Sequence, residues 1–333
     1  MKNNNLKAMI MAAGMGSRLE PITLIMPKPL IPVMNIPLMD IILSQLSNIG
    51  IKNVISNTYY LSHQIIERYK KNNLGVHFNY IQEKELSGTA GGMKKCQFFF
   101  DKGEDFLVMS GDVLTTADIQ KGIEQHKRTG ALATIGIKQV PHEKVSHFGV
   151  VVTDNDGYIS EFQEKPSMDE AKSNFINTGI YIFNYKIFDY IPENTFYDFA
   201  KDVFPKLLSE RQINTFEVQE YWNDIGTIEQ YKQSIQDVFD GICNIQHVKI
   251  QETNLGSYIC GNSEVPSTVR FIGNSVVGSN CKLGEYIKLE NCVVFDNARI
   301  ETGAELTNCI VLPQMHNSKT LSLKSNDKDA IRI

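Results

Sequence analysis

The sequence predicts an α/β protein in two parts: a doubly wound layer of strands and helices, followed by a short parallel β-helix. Two observations carry this prediction. Up to about residue 240, apolar runs of strand length alternate with amphipathic stretches, and after residue 244 aliphatic residues recur with a fixed period. We therefore expect a first domain over residues 1–240, a β-helix over residues 245–313 and a polar tail over residues 314–333.

The first domain is predicted element by element from its hydrophobic pattern. Apolar runs that we interpret as strands cover residues 6–13, 53–57, 76–82, 106–110, 133–139 and 176–183. Amphipathic stretches predict helices over residues 39–49, 62–72 and 116–129. Between two further apolar runs, Asn155-Asp156-Gly157 predicts the turn of a β-hairpin. Alternation of this kind is typical of doubly wound sheets, which bind ligands at the carboxyl ends of their strands.

The second domain is predicted from a repeat of 17 residues. Steps of 5 and 6 residues separate the aliphatic positions that we expect to point inward, which are Ile272, Val277, Leu283, Leu289, Val294, Ile300 and Leu306. Asn274, Asn291 and Asn308 fall in phase with one another, as do Cys292 and Cys309. Hexapeptide steps build coils with three short sides, so we interpret the two cysteines as packing residues rather than metal ligands.

Composition restricts the classes of function. With 333 residues and 42% hydrophobic content, the chain has room for two domains with a sizeable core. A net charge of −5 gives no electrostatic reason to expect nucleic acid as a partner. No stretch approaches the roughly 20 apolar residues that span a bilayer, and the first apolar run is too short for a signal peptide, so we expect a cytoplasmic protein. The six cysteines contain no Cys-x-x-Cys pair, and we expect buried thiols rather than disulfides.

The first predicted strand ends in Gly14-Met15-Gly16-Ser17-Arg18, a pattern that predicts a site for phosphate groups. Glycines let the backbone approach a ligand closely, and a turn of N–H groups attracts phosphate oxygens. Arg18 adds one cation, and Lys28, which stands between two prolines, adds a second on a stiff segment. The loop matches neither standard glycine fingerprint, because a leucine replaces the third glycine of Gly-x-Gly-x-x-Gly and no Gly-Lys-Ser/Thr follows. Taken alone, it could be a structural turn.

The longer pattern that begins at Gly14, Gly-x-Gly-Ser-Arg-Leu-x-Pro-Ile-Thr…Pro-Lys-Pro-Leu-Ile-Pro-Val, resembles the opening signature of the sugar-1-phosphate nucleotidyltransferases. Further markers of this family follow in order at residues 82–92, 110–112, 164–166, 177–179 and 222–227, so the resemblance covers nearly the whole chain. It implies a Rossmann-like mixed sheet of the GT-A-like type, followed by a left-handed β-helix.

Two aspartates are candidates for a metal site. Asp112 follows an apolar run in Ser-Gly-Asp and emerges at the carboxyl end of a strand, whereas Asp224 stands beside the single tryptophan in Trp-Asn-Asp-Ile-Gly-Thr. Each has a structural alternative: Asp112 as a strand-end cap, and Asp224 as the N-cap of a helix that begins near Thr227. The resemblance implies that both hold Mg²⁺, which neutralises phosphate oxygens of the reactants.

The resemblance also implies which residues bind the substrates. For the nucleotide these are Ala13, Gly14, Gly16, Ser17, Gln82, Gly88 and Thr89. For the sugar phosphate they are Gly149, Glu164, Asn177 and Thr178, with Lys165 on the phosphate group. The residues expected to act in catalysis are Arg18, Lys28, Asp112, Lys165 and Asp224. The glycine-rich loop after Gln82 could instead be structural, and an exposed Glu164–Lys165 pair could be a solvated ion pair of little energetic value.

Together these patterns predict Mg²⁺-dependent transfer of a nucleotidyl group from a nucleoside triphosphate to a sugar 1-phosphate. The Gly-Thr-Ala-Gly form of residues 88–91 is closest in pattern to bacterial mannose-1-phosphate guanylyltransferases, and a glucose-1-phosphate thymidylyl-, uridylyl- or adenylyltransferase is the alternative. Two other classes stay open: a catalytically silent regulatory subunit that binds nucleotides, and a bifunctional enzyme with an acyltransferase β-helix. We expect the β-helix to be an oligomerisation module of a homo-oligomer instead.

Overall fold

The computed structural model describes residues 6–71, 74–245, 257–260 and 262–313, and the chain forms two compact units. The first unit comprises Met1–Gly16, Met26–Leu30 and Leu38–Gly226. The second comprises Ser17–Ile25, Ile31–Pro37 and Thr227–Ile333. The predicted polar tail lies outside the described residues, and the predicted domain boundary between residues 240 and 245 stays a prediction.

The strands up to residue 245 are, in chain order, β1 (Lys7–Ala12), β2 (Pro32–Val33), β3 (Ile36–Pro37), β4 (Asn53–Thr58), β5 (His77–Gln82), β6 (Asp105–Ser110), β7 (Val113–Thr115), β8 (Ala133–Gln139), β9 (Gly149–Thr153), β10 (Ile159–Glu164), β11 (Phe175–Asn184), β12 (Ile213–Glu217) and β13 (Trp222–Asp224). The helices are α1 (Ile22–Ile25), α2 (Leu38–Asn48), α3 (Ser62–Lys71), α4 (Gly88–Lys95), α5 (Ile119–Thr129), α6 (Phe204–Ser209) and α7 (Ile228–Phe239). Every strand and helix predicted in this region is confirmed, with ends shifted by a few residues. Within the described ranges, no helix has the length and apolar character needed to cross a membrane.

Most of these strands form one mixed sheet in the first unit. Its order is β10-β9-β11-β6-β1-β4-β5, with β8 paired to β11 and β12 paired to β8. Strands β6, β1, β4 and β5 are mutually parallel, whereas β11 is antiparallel to β6. The predicted Rossmann-like mixed sheet is confirmed, and the carboxyl ends of its parallel strands meet at one edge.

An aromatic cluster fixes the middle of this sheet. Phe106 of β6 stacks on Phe100 and on Phe188, with ring centroids 4.1 and 5.3 Å apart, and Phe183 of β11 lies 5.9 Å from it. All four side chains are buried. Burial of large aromatic surfaces is a dominant favourable term in folding, so apolar contacts hold β6 against β11 in the middle of the sheet.

The second unit contains the remaining strands, which are β14 (Ser257–Ile259), β15 (Arg270–Ile272), β16 (Ser275–Val277), β17 (Lys282–Leu283), β18 (Lys288–Glu290), β19 (Val293–Val294), β20 (Arg299–Ile300), β21 (Glu305–Thr307) and β22 (Ile310–Val311). In the described residues they stack in parallel ladders ordered β14-β16-β19-β22, β15-β18-β21 and β17-β20. Three short sides per coil are what the hexapeptide steps predicted, and the predicted β-helix is confirmed.

One inward position of the β-helix was predicted wrongly. Ile272 is 43% exposed, whereas the other predicted aliphatic positions are buried. Its neighbour Phe271 is buried instead. Phe271 pairs with Leu289, which lies one residue further along the chain than the 17-residue repeat would place its partner. Because successive side chains of a strand point to opposite faces, an offset of one residue turns Ile272 outward. Cys292 and Cys309 are buried in this core, in agreement with a packing role.

Helix α7 belongs to the second unit and packs on the β-helix there. Thr227 caps it, since its hydroxyl accepts a hydrogen bond from Gln230 N over 3.2 Å. The buried Tyr231 donates from its hydroxyl to Pro32 O over 2.7 Å, and its ring centroid lies 6.2 Å from that of Phe295. The segment around Pro32, α7 and the β-helix therefore form one packed body.

Candidate functional site

A cleft of about 300 Å³ opens at the edge of the sheet where the parallel strands end. Its lining comes from residues 11–14, 28–29, 57, 83, 86–89, 110–112, 196 and 198, all in the first unit. Ligands of doubly wound folds bind at this edge. Of the residues predicted from the sequence, the cleft brings together Ala13, Gly14, Lys28, Gly88, Thr89 and Asp112.

Asp112 is held by an ion pair and a hydroxyl group just beyond β6. The Lys28 ammonium donates to Asp112 Oδ2, and Ser110 Oγ donates to Asp112 Oδ1 over 2.5 Å. Burial favours a higher pKa for the Asp112 carboxyl, but Lys28 and Ser110 stabilise its anion more and hold that pKa below its ordinary value. Asp112 is therefore a carboxylate at neutral pH, next to a lysine side chain that is only 11% exposed.

Gly111 sets how closely the ends of β1 and β6 approach each other. Its N–H donates to Met11 O over 2.9 Å, and a Cβ at this position would lie 2.6 Å from the same oxygen. Cβ atoms do not come that close to an oxygen, so only glycine fits between the two strand ends. Gly111 is thus a point of contact between neighbouring strands.

Strand β13 brings Asp224 beside Asp112. It pairs antiparallel with β7, which puts Asp224 opposite Val113, the residue after Asp112. Ile225 N donates to Asp112 O over 2.8 Å, so the chain after Asp224 also lies against Asp112. Since Thr227 is the residue that caps α7, the alternative interpretation of Asp224 as a helix N-cap is wrong.

This pair of carboxylates fits a divalent ion bound by oxygen. Mg²⁺ is usually held by one or two carboxylates, while water and substrate phosphates complete its coordination shell. Asp112 and Asp224 match that number and that chemistry. Among the described residues, no group of three or more His, Cys, Asp or Glu side chains is placed to enclose a metal.

The glycine loop is divided between the two units. Ala13 and Gly14 line the cleft, and a Cβ at Gly14 would meet no atom within 4 Å, so a ligand can approach the backbone there. Gly16 follows with a φ of 69°. Ser17 and Arg18 begin a short 3-10 helix in the second unit, where Arg18 is exposed. Binding roles for these three residues stay predictions.

The residues predicted for the sugar phosphate form a second group outside the cleft. Gly149 pairs with Glu164 across the hairpin of β9 and β10, which confirms the predicted hairpin. Lys165 follows with a φ of 47°. Its ammonium lies 3.9 Å from Glu164 Oε1, and the two side chains are 58% and 48% exposed. An ion pair this long and this exposed is weak, so Lys165 remains available to an anion.

Asn177 and Thr178 lie on β11 and use their side chains within the fold. Asn177 Nδ2 donates to the Tyr181 hydroxyl over 2.9 Å, and the buried Thr178 hydroxyl donates to Gly136 O over 2.7 Å. Trp222 Nε1 donates to Thr178 O over 2.8 Å. This last bond joins β11, which carries Asn177 and Thr178, to β13, which carries Asp224.

At the end of β5, Glu83 rather than Gln82 lines the cleft. Gln82 is exposed, and its predicted contact with a base stays a prediction. The Glu83 carboxylate is buried and accepts hydrogen bonds from Asn57 Nδ2 over 2.7 Å, from Ser87 Oγ and from Lys95 Nζ over 3.0 Å. Glu83 was not predicted, although an acidic residue directly after a parallel strand is a signal that could have found it.

The glycine-rich stretch that follows is a helix, and its interpretation as a loop was wrong. Helix α4 begins at Gly88, which has a φ of 77° and whose Cβ would lie 2.3 Å from Tyr197 O. The same carbonyl accepts from Ala90 N and Gly91 N, both at 3.0 Å. Tyr197 therefore supplies the acceptor that the first turn of a helix needs, which the local sequence does not reveal.

Two further residues that line the cleft, Phe196 and Asp198, were also not predicted. Thr89 Oγ1 donates to Asp198 Oδ2 over 2.9 Å, so the predicted nucleotide residue Thr89 is bonded to this segment. No local pattern marks Phe196 or Asp198, because their place in the cleft depends on packing against α4.

Comparisons with known proteins agree with the resemblance predicted from the motifs. The family model described as "Nucleotidyl transferase" matches residues 7–241, and the model described as "GlmU-like, C-terminal hexapeptide" matches residues 245–325. The first match covers more than half of the chain. Nucleotidyltransferases of this family generally use a divalent metal, which agrees with the carboxylate pair.

Individual relatives show different specificities. A UTP–glucose-1-phosphate uridylyltransferase from Synechocystis sp. is 37% identical over 307 residues, which cover 83% of this chain and 79% of that protein. The mannose-1-phosphate guanyltransferase beta-B of Xenopus laevis is 31% identical over 284 residues, which cover 83% of this chain and 74% of that protein. A crystal structure of a Bacillus anthracis protein in complex with a sucrose aligns with a TM-score of 0.64 at 25% identity, over 73% of this chain and 98% of that one.

The contact between Gly88 and Tyr197 can be tested by adding one methyl group. Gly88→Ala places a Cβ against Tyr197 O at a positive φ, whereas Gly103→Ala, at a φ of 84°, has no atom within 4 Å of its Cβ. Both variants carry backbone strain. We expect the free energy of unfolding to fall by about 1–3 kcal/mol more in Gly88→Ala than in Gly103→Ala, because overpacking against Tyr197 adds to the strain. Urea unfolding followed by Trp222 fluorescence measures this, and equal losses in the two variants would contradict the contact.

Proposed function

Because the chain belongs to the nucleotidyl transferase family, we propose that it transfers the nucleotidyl group of a nucleoside triphosphate to a sugar 1-phosphate and releases pyrophosphate. The observation that carries this proposal is the Lys28–Asp112 ion pair at the end of the parallel strands, with Asp224 on the strand that pairs beside Asp112. A sugar-phosphate oxygen attacks the α-phosphorus while pyrophosphate leaves. Both reactants are anions, so positioning and neutralisation of charge dominate the catalysis.

The cleft suits a triphosphate. Around Ala13 and Gly14 the backbone is open to a ligand, and Lys28 adds a nearly buried cation whose charge water screens weakly. Roles in binding the triphosphate are proposed for the remaining loop residues Gly16, Ser17 and Arg18 from the family motif alone. In this assignment Arg18 supplies a second cation.

Asp112 and Asp224 are the residues proposed to hold Mg²⁺. When bound, the ion polarises phosphate oxygens and neutralises charge that develops on them. The aspartates must stay ionised for this, and Asp112 does so because Lys28 and Ser110 keep its pKa low against the effect of burial. The hydrogen bond from Ser110 also fixes the direction of the Asp112 carboxylate.

Lys165 is proposed to bind the phosphate of the sugar. It is exposed, loosely paired with Glu164 and follows the end of β10 directly. Glu164, Gly149 and Asn177 are proposed to contact the sugar, and Thr178 to act through its backbone because its side chain is buried. The bond from Trp222 to Thr178 O supports this strand next to the metal pair.

Two specificities have support. The form of residues 88–91 favours GTP with mannose 1-phosphate, and the uridylyltransferase relative at 37% identity favours UTP with glucose 1-phosphate. The Gln82 amide has both a donor and an acceptor and can serve either base, beside the backbone of Gly88 and the side chain of Thr89. A single hydrogen bond can decide such a choice, and a panel of substrates decides it experimentally.

We also propose that the region matched by the hexapeptide model mediates self-association of the chain. Light scattering of the intact protein is then expected to give a mass at least twice 37.6 kDa. A monomer at micromolar concentration would contradict self-association.

Asp112→Asn is expected to reduce pyrophosphate release at least about 100-fold, because it removes a charged ligand from the site of developing charge. The assay combines GTP, UTP, dTTP, CTP and ATP with several sugar 1-phosphates in the presence of Mg²⁺. Asp101→Asn is the matched control, since Asp101 also pairs with a lysine, Lys7 at 2.9 Å, but lies outside the cleft. No turnover of the wild type with any pair would sink the proposed function, and near-normal turnover of Asp112→Asn would remove Asp112 from the site.

Lys165→Met is expected to raise the KM for the sugar 1-phosphate about 10-fold to 100-fold and to leave the KM for the triphosphate unchanged, because hydrogen bonds to charged groups are strong. Lys172→Met is the control, since Lys172 is an exposed lysine paired with Glu161 at 2.7 Å. Steady-state kinetics with each substrate varied in turn separates the two KM values. A rise in the KM for the triphosphate alone would indicate that Lys165 binds the triphosphate, which contradicts its proposed contact with the sugar 1-phosphate.

A further inference from the structure

Two large apolar side chains stand exposed in the cleft. Phe196 is 66% exposed and Leu86 is 41% exposed, and both belong to the lining. A single exposed apolar residue is ordinary on a protein surface. Two of them in one small cleft, among charged and polar groups, indicate an apolar subsite that a ligand covers.

The backbone next to Phe196 is fixed on α4. Tyr197 N donates to Ser87 O over 2.8 Å, and Tyr197 O accepts from Ala90 N and Gly91 N at 3.0 Å each. Moving this segment would break three hydrogen bonds. The backbone beside Phe196 is therefore held in place before a ligand arrives, and covering the ring orders little additional backbone.

The segment that carries Leu86 is fixed by a buried polar network. Glu83 accepts from Ser87 Oγ and from Asn57 Nδ2, and Asn57 Oδ1 accepts from Ala12 N over 3.2 Å. The three side chains of the network are buried, and satisfied buried networks are rigid. Since Ala12 ends β1, the network holds the apolar subsite at a fixed spacing from the glycine loop.

We infer that Phe196 stacks on the base of the nucleoside triphosphate, with Leu86 contacting the same ring. The inference rests on the proposed function. A nucleobase is a flat ring with an aromatic face, and stacking on an aromatic side chain tolerates any base. The residues predicted for the sugar phosphate do not line this cleft, whereas Ala13, Gly14 and Gly88, predicted for the nucleotide, do. Phe196 thus serves the nucleotide and not the sugar.

Kinetics of variants at residue 196 test the inference. Phe196→Ala is expected to raise the KM for the triphosphate roughly 10-fold to 100-fold, with the KM for the sugar 1-phosphate unchanged. Phe196→Tyr keeps the aromatic face and is expected to retain the wild-type KM. Phe98→Ala is the matched control, because Phe98 is 75% exposed and lies outside the cleft lining. Thermal unfolding confirms that each variant is folded.

Inorganic tripolyphosphate separates stacking on the base from contacts with phosphates. It has no base, so its inhibition constant is expected to be equal in the wild type and in Phe196→Ala. A weaker inhibition in the variant, a raised KM for the sugar 1-phosphate, or an unchanged KM for the triphosphate would each overturn the inference.

Failure of the proposed function is distinguishable from failure of this inference. If the proposed function fails, the wild type releases no pyrophosphate with any substrate pair. Calorimetric titration of the triphosphate into the wild type and Phe196→Ala would still measure the contribution of stacking, and equal affinities would overturn it.

Discussion

Strand β1 lies between two parallel partners, β4 and β6, and every functional placement in the first unit depends on that pairing. Parallel pairing puts three carboxyl ends at one edge, so the glycine loop that begins at Gly14, Asn57 at the end of β4, and Asp112 just beyond β6 lie around one cleft. Gly111 allows β6 to end directly against β1. Aromatic packing around Phe106 stabilises the middle of the same sheet.

Charge in the cleft is arranged before any substrate binds. Lys28 pairs with Asp112, and the pairing of β13 with β7 places Asp224 opposite the residue that follows Asp112. The ammonium keeps Asp112 ionised in spite of burial, and the same ammonium stands where a triphosphate would enter. Under the proposed function, a single lysine on a stiff segment between prolines therefore serves both the aspartate proposed to hold the metal and the nucleotide.

Much of the fold was predictable because it is local. The hydrophobic periodicity predicted the strands and helices. The position of Asp112 just after an apolar run predicted that it lies at the end of a strand. That Asp224 joins Asp112 followed only from the family resemblance, because pairing of β7 with β13 is not visible in either segment. Ile272 was misplaced because a repeat fixes the period of a coil but not an offset of one residue. Phe196 was missed because its place in the cleft depends on packing against α4, which is remote in the sequence, whereas Glu83 carries a local signal, an acidic residue directly after a strand, that was not used.

The central claim is that Asp112 and Asp224 together hold the metal of a nucleotidyl transfer site. A crystal structure with Mn²⁺ and a non-hydrolysable nucleoside triphosphate analogue tests it most directly, because Mn²⁺ gives an anomalous signal. We expect an anomalous peak bound by both carboxylates, with the triphosphate over the backbone of Gly14 and beside Lys28. A peak at any other place, or a triphosphate bound outside this cleft, would contradict the claim.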